Sequence, residues 1–201
     1  RLNLSKRDNL IPGGRIHNFR HFMDFPDQVF KEKRLRKKPF DHPLLTVRRV
    51  TDVILEKDVM LHFPYHSFLP LIDLIREAAF DPDVTTIKIT CYRLAQNSKI
   101  INALINAVRN GKEVVVMLEL RARFEEEANI EWKNRLEEEG AKVLIEIPNM
   151  KVHSKICIIK KRTKDNNFLL YGFISTGNLN EKTSKVYADH CLLTANQKIM
   201  A

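Results

Sequence analysis

The chain has 201 residues, 44% of them hydrophobic, with a formal net charge of +9. That length suffices for one substantial domain with a real core, while the longest apolar runs, such as Val114 to Leu118, are far too short to span a bilayer. The opening stretch "RLNLSKRDNL" has no apolar centre of a signal peptide, so the chain reads as cytoplasmic, with peripheral membrane association left open.

Cys91, Cys157 and Cys191 are odd in number, lack CxxC spacing and sit in apolar runs, which favours reduced, buried thiols over disulfides or zinc. The positive charge is uneven. The first 50 residues hold 13 Lys and Arg against 5 Asp and Glu, and the remainder is nearly balanced, 21 against 20. The cluster "KEKRLRKK" (31–38) is either a solvated linker or a patch for an acidic partner.

Residues 1–45 are punctuated by "PGG" (12–14), Pro26, Pro39 and Pro43 and show no sustained period, so they read as a linking segment. From Phe68 to Phe80 the apolar residues recur at helical spacing and stop at "DPD" (81–83). A β-branched strand follows at 84–92. The alternation then repeats: helix 98–110, a stop at Gly111, strand 113–120, helix 125–140, strand 141–147. This predicts right-handed βαβ crossovers and a mixed, mostly parallel sheet flanked by helices, an α/β domain over 46–201. After Pro148 come strands only: "KVHSKICIIK" (151–160), "NFLLYGFIST" (167–176) after the polar tip "KRTKDN", and "VYADHCLLTA" (186–195).

Ligands of open α/β sheets collect beyond the carboxyl ends of parallel strands. Arg93 and Arg123 follow two such strands, and their guanidinium forks suit phosphate oxygens. Paired with neighbouring glutamates or water, they would do nothing of the kind. On the strand 151–160, alternation puts Lys151, His153, Lys155 and Cys157 on one face, with His153 and Lys155 roughly 7 Å apart. The opposite face, Val152, Ser154, Ile156 and Ile158, is then the core face. A wet strand edge would explain the same residues. "STGNLNEKT" (175–183) supplies Thr176, Asn178 and Asn180 beside a glycine that admits a ligand to the backbone, or else a turn with an asparagine cap.

The pair His153-x-Lys155 followed by a Gly/Asn turn resembles half of the phospholipase D superfamily motif, in which a histidine attacks phosphorus and lysine and asparagine bind its oxygens. The hydrolase pattern H-x-K-x₄-D wants aspartate at position 160, where this chain has Lys160. Together, "IPGGRIHNFRHFMDFPD", "HFPYHSF", "KITCYRLAQNSKII", "NGKEVVVMLELRARFEEEANI", "KVHSKICII" and "STGNLNEKTSKVYADHCLLTA" resemble bacterial polyphosphate kinase with two phospholipase-D-like domains. The likeness runs from about Asn9 to Ala195.

The resemblance implies a first catalytic domain that moves the terminal phosphate of ATP reversibly onto polyphosphate through a phosphohistidine. It makes His153 the nucleophile, with Lys155 stabilising the negative oxygens. An imidazole with the ordinary pKa near 6.5 is roughly three quarters uncharged at pH 7 and has a lone pair to give. Tyr187 matches a nucleotide-binding position. The family's Mg²⁺ site falls on Arg93 and Arg123; arginine has no lone pair, so the resemblance implies arginine and metal sharing phosphate oxygens. Thr176 and Asn178 are phosphate-binding candidates from the turn. Implied partners are ATP (or ADP), polyphosphate and further copies of the full-length chain, with no specific nucleic acid and no membrane span. A phospholipase-D-like phosphodiesterase and a non-catalytic polyanion-binding module are the alternatives, and the isolated domain is expected to be nearly inactive.

Overall fold

The computed structural model describes residues 38–92, 94, 95, 97–119, 126–145 and 152–201, the side chains of 126–128 excepted. Residues 1–45 as a linking segment therefore lie almost wholly outside the described residues, and Lys38–Ala201 form one compact unit. In chain order the elements are α1 (Val50–Glu56), β1 (Val59–Phe63), α2 (Leu69–Phe80), β2 (Val84–Cys91), α3 (Lys99–Arg109), β3 (Glu113–Leu118), α4 (Glu126–Glu138) and β4 (Lys142–Ile145). They continue with β5 (Lys155–Arg162), β6 (Phe168–Ser175), β7 (Asp189–Thr194) and α5 (Gln197–Met200).

The helices arise where the periodicity puts them. Leu71, Leu74, Ile75, Ala78 and Ala79 of α2 are fully buried, and Pro70 sits in the first turn, where its missing N–H is not needed. Ser98 caps α3 by accepting from Ile101 N–H at 3.3 Å. Both α3 and α4 close on a left-handed glycine, Gly111 and Gly140, with the following amides returning to Ala107 and Leu136 carbonyls. In α1 no side chain of its own caps the start; Glu77 of α2 accepts from Val50 and Thr51 N–H, both at 2.8 Å.

The seven strands form one sheet in the order β1-β7-β6-β5-β2-β3-β4. The mixed α/β architecture is as expected, and β1, β2, β3, β4 and β6 all run the same way. Because β5 and β7 run against them, however, only β2–β3 and β3–β4 are parallel neighbours. The remaining pairings, β1–β7, β7–β6, β6–β5 and β5–β2, are antiparallel. "Mostly parallel" thus describes strand directions and the β2–β3–β4 half, not the pairings.

One face of the sheet, with Val59, Leu193, Phe173, Cys157, Ile89 and Val116 in a row, packs with α1–α4 into a single core. Met60, His62, Ile156, Ile174 and Leu192 point the other way and stay half-buried or exposed. The three cysteines are free and buried, and burial pushes the Cys91 and Cys191 thiols up to about 12, which keeps them as inert thiols.

Strand β5 corrects two expectations. It starts at Lys155, so His153 precedes it and does not follow its alternation. Its core face is Lys155, Cys157 and Ile159, while Ile156 and Ile158 are the less buried set. Lys155 therefore occupies the end of the core face, opposite to the expected assignment. The residue opposite Ile158 on β6 is Gly172. A Cβ there would stand 1.9 Å from the Cys157 carbonyl oxygen, inside the backbone of the partner strand. Gly172→Ala is expected to destabilise the fold by about 2–3 kcal/mol, measured by chemical denaturation; an unchanged midpoint would mean the strands part easily.

Candidate active site

The sheet brings the ends of all seven strands to one rim: the carboxyl ends of β1, β2, β3, β4 and β6, and the amino ends of β5 and β7, as their registers require. Here β2 delivers Tyr92, the residue directly after its last one. The His153 ring meets Tyr92 edge-on, with centroids 5.1 Å apart and planes at 76°. Lys155 Nζ lies 5.2 Å from the centroid of the same ring and donates to the His153 carbonyl at 2.5 Å. One tyrosine thus gathers the histidine and the lysine.

The approach to β5 is fastened by Thr90. Its hydroxyl donates to the Ser154 carbonyl at 2.7 Å and accepts from Ile156 N–H at 3.0 Å. That bracket holds the peptide between His153 and the strand against β2, while the His153 side chain remains exposed. Lys155, by contrast, is only 3% exposed. An ammonium that deeply placed is stable only among partners that stabilise its charge.

Opposite Lys155 stands Ser175, the last residue of β6, and the Gly/Asn turn leaves from it. The Thr176 hydroxyl donates to Asp189 Oδ1 at 2.8 Å and accepts from His190 N–H at 3.0 Å. Its single proton is therefore committed to the aspartate. Gly177 has no room for a side chain, since a Cβ would fall 2.4 Å from Asp189 Oδ2. Asn178 is half-buried and its Oδ1 has no hydrogen-bond partner among the described residues; an acceptor cannot bind phosphate, so the Nδ2 group is the one suited to that task. Asn180 takes the capping role: its Oδ1 accepts from Lys182 and Thr183 N–H at 2.9 and 3.2 Å.

Tyr187 precedes β7 and is 54% exposed, so it is not a core aromatic. Arg93 and Arg123 lie outside the described residues. What is fixed are the strand ends that lead to them, where Glu119 N–H bonds the Cys91 carbonyl at 3.0 Å. Lys160, at the position where hydrolases carry aspartate, lies five residues along β5 from Lys155, roughly 16 Å at strand rise, with its Nζ 3.8 Å from the Phe168 ring centroid. The described residues contain no group of three or more His, Cys, Asp or Glu able to hold a metal. None of the described helices is long and apolar enough to cross a membrane.

Sequence reasoning passed over Tyr92, Thr90 and Asp189. A signal was present for the first, an aromatic at the end of a parallel strand directly before a candidate arginine. Nothing local marks the other two, whose partners lie 64 residues and 13 residues away.

With this geometry in view, the similarities are informative. Residues 49–201 match the family described as "Polyphosphate kinase C-terminal domain 1". The polyphosphate kinase of Vibrio vulnificus is 46% identical over 206 residues, an alignment covering all of this chain and 29% of that protein. The crystal structure of polyphosphate kinase from Porphyromonas gingivalis superposes with a TM-score of 0.71 at 37% identity, over 81% of this chain and 28% of that one. A phospholipase D family member, Nuc from Salmonella typhimurium, shares the fold, with a TM-score of 0.53 at 18% identity over 72% of this chain and 86% of that one. The chain thus spans under a third of the length of its polyphosphate kinase relatives.

Proposed function

The chain belongs to the polyphosphate kinase family, and from that premise we propose that residues 46–201 are its first phospholipase-D-like catalytic domain, with 1–45 leading in from a preceding region. In the full-length enzyme this domain takes the terminal phosphate of ATP and passes it, reversibly, to polyphosphate. The observation that carries the reading is the convergence of His153 and Lys155 on Tyr92 at the strand-end rim.

In the first step an imidazole nitrogen of His153 attacks the terminal phosphorus, the P–O bond to ADP breaks, and ADP leaves with that electron pair. In the second step a terminal oxygen of polyphosphate attacks the same phosphorus and the P–N bond breaks, which restores His153 and lengthens the chain by one phosphate. Phosphoryl transfer asks mainly for positioning and charge neutralisation. Lys155 supplies a fixed cation beside the nucleophile. Arg93, Arg123 and Asn178 bind phosphate oxygens, Thr176 holds Asp189 through its hydroxyl, and Tyr187 offers an exposed ring to the nucleotide. Mg²⁺, as the family implies it, would be held through phosphate oxygens shared with Arg93 and Arg123 and would offset the negative charge of those oxygens. Homo-oligomerisation of the full-length enzyme in the cytoplasm belongs to the same reading.

Two assays test it. The full-length enzyme is expected to convert ATP to polyphosphate and to leave a chromogenic phosphodiester intact; the reverse pattern would make it a hydrolase. Arg93→Ala or Arg123→Ala is expected to weaken polyphosphate binding and to flatten its dependence on salt by roughly one counterion each, by analogy with other polyanions. An unchanged salt slope would remove the arginines from the phosphate site.

A further inference from the structure

The pairing of β2 with β5 stops before either strand does. Its last partners are Ile89 and Cys157, yet β2 runs on to Cys91 beside β3, and β5 begins at Lys155 beside β6. Beyond that last pair a side chain takes over from the ladder. The Thr90 hydroxyl accepts from Ile156 N–H at 3.0 Å and donates its only proton to the Ser154 carbonyl at 2.7 Å. These two groups flank Lys155, whose own partner is Ser175 of β6 on the opposite side.

Main-chain partners at this point would carry the ladder on through residue 154 and draw His153 into the strand. A hydroxyl stands two bonds off the β2 backbone, so it satisfies the same groups while the two backbones part. His153 accordingly lies ahead of β5 with its side chain exposed, and its ring meets Tyr92 edge-on at 5.1 Å. Tyr92 is fixed in turn from α4. Asn129 Nδ2 donates to the Tyr92 and Glu119 carbonyls at 3.1 and 3.0 Å, and Trp132 Nε1 donates to the Ala95 carbonyl at 3.0 Å. The histidine is thus set from two sides, its adjoining backbone by Thr90 and its ring by Tyr92. β-branching leaves threonine few rotamers, which defines where that hydroxyl stands.

We propose that Thr90 is a positioning residue for the nucleophile: its hydroxyl ends the β2–β5 ladder and seats the 154–156 main chain so that the His153 imidazole stands off the sheet, against Tyr92, where a terminal phosphate can reach it. The proposal rests on the reading of His153 as the nucleophile given above. Thr90 is not a catalytic residue, since its hydroxyl is committed to main chain and acts through it.

In the full-length enzyme, Thr90→Val keeps the shape of the side chain and removes both bonds. Ile156 N–H and the Ser154 carbonyl then lose their partner, so the thermal midpoint is expected to fall by about 2–4 °C. The decisive readout is the rate at which label from the terminal phosphate of ATP appears on His153 in a single turnover, taken well below that midpoint, where the variant is folded. It is expected to fall about 30- to 100-fold, the size of effect that an ångström-scale misplacement produces, with KM for ATP within about threefold of the parent. Thr90→Ser restores the hydroxyl and should return the rate to within about fivefold of the parent. Labelling of Thr90→Val at the parental rate overturns the proposal, and so does a loss that Thr90→Ser shares in full, since the hydroxyl is then not responsible. If Thr90→Val does not fold, Thr90→Ala, which also lacks the hydroxyl, takes its place in the same comparison. Absence of label from His153 in the parent itself would sink the nucleophile reading and this proposal with it; a labelled parent beside an indifferent Thr90→Val sinks the proposal alone.

Discussion

His153→Ala in the full-length enzyme is expected to abolish both the phosphoenzyme and polyphosphate synthesis, a fall on the order of 10⁴–10⁶ in kcat, as for loss of a nucleophile elsewhere. The side chain is exposed and lies ahead of β5, outside the strand ladder. The Thr90 bracket that places this segment bonds only backbone, through Ser154 and Ile156, so it survives the substitution. Exposed side chains away from caps and strands usually change stability by less than about 0.5 kcal/mol. The thermal midpoint should therefore stay within about 2 °C of the parent, and the loss belongs to chemistry. Incubation with ATP labelled in its terminal phosphate gives the decisive reading. The parent should carry an acid-labile, base-stable label on His153, and the variant none. Label retained at another residue would remove His153 from the nucleophile's role and leave its contact with Tyr92 as a packing interaction.

Why some of this was legible in the sequence and some not follows from where each signal is held. Helices α2, α3 and α4 carry their own period and stops, and α3 its own cap in Ser98, so local reading places them to within a residue or two. The helix α1 and the strand β1 were not foreseen. The start of α1 is capped by Glu77, 27 residues on from Val50, and β1 is a five-residue edge strand whose register is set by β7, near the other end of the chain. The insertion of β5 between β2 and β6 is equally non-local. For β5 itself the polar residues misled: alternation was extended through His153, which lies before the strand, and a buried lysine was placed on the solvent side. At the site, the spacing of His153 and Lys155 is a local motif and was legible. The contacts of Asn129 and Trp132 with Tyr92 and Ala95 each cross 37 residues, and no local pattern announces them.

The buried lysine leads to the second large effect. Lys155→Met keeps the length of the side chain and removes its charge. Because an ammonium at 3% exposure has lost most of its hydration, its removal relieves a desolvation penalty, and replacing a buried ion by an apolar side chain of like volume is often neutral or stabilising. The thermal midpoint should then hold or rise. Activity should fall about 10²- to 10³-fold, the size seen when one preorganised donor to a developing oxyanion is lost. Lys155→Arg is expected to recover less than a tenth of the parent activity, since the planar guanidinium needs space already bounded by Tyr92 and the backbone carbonyl of His153. The opposite movement of stability and rate distinguishes a residue placed for phosphate from one placed for packing. If Lys155→Met loses stability in step with activity, the lysine is holding β5 in place through the His153 carbonyl, and the cation that steadies the transferred phosphate has to be sought at the arginines.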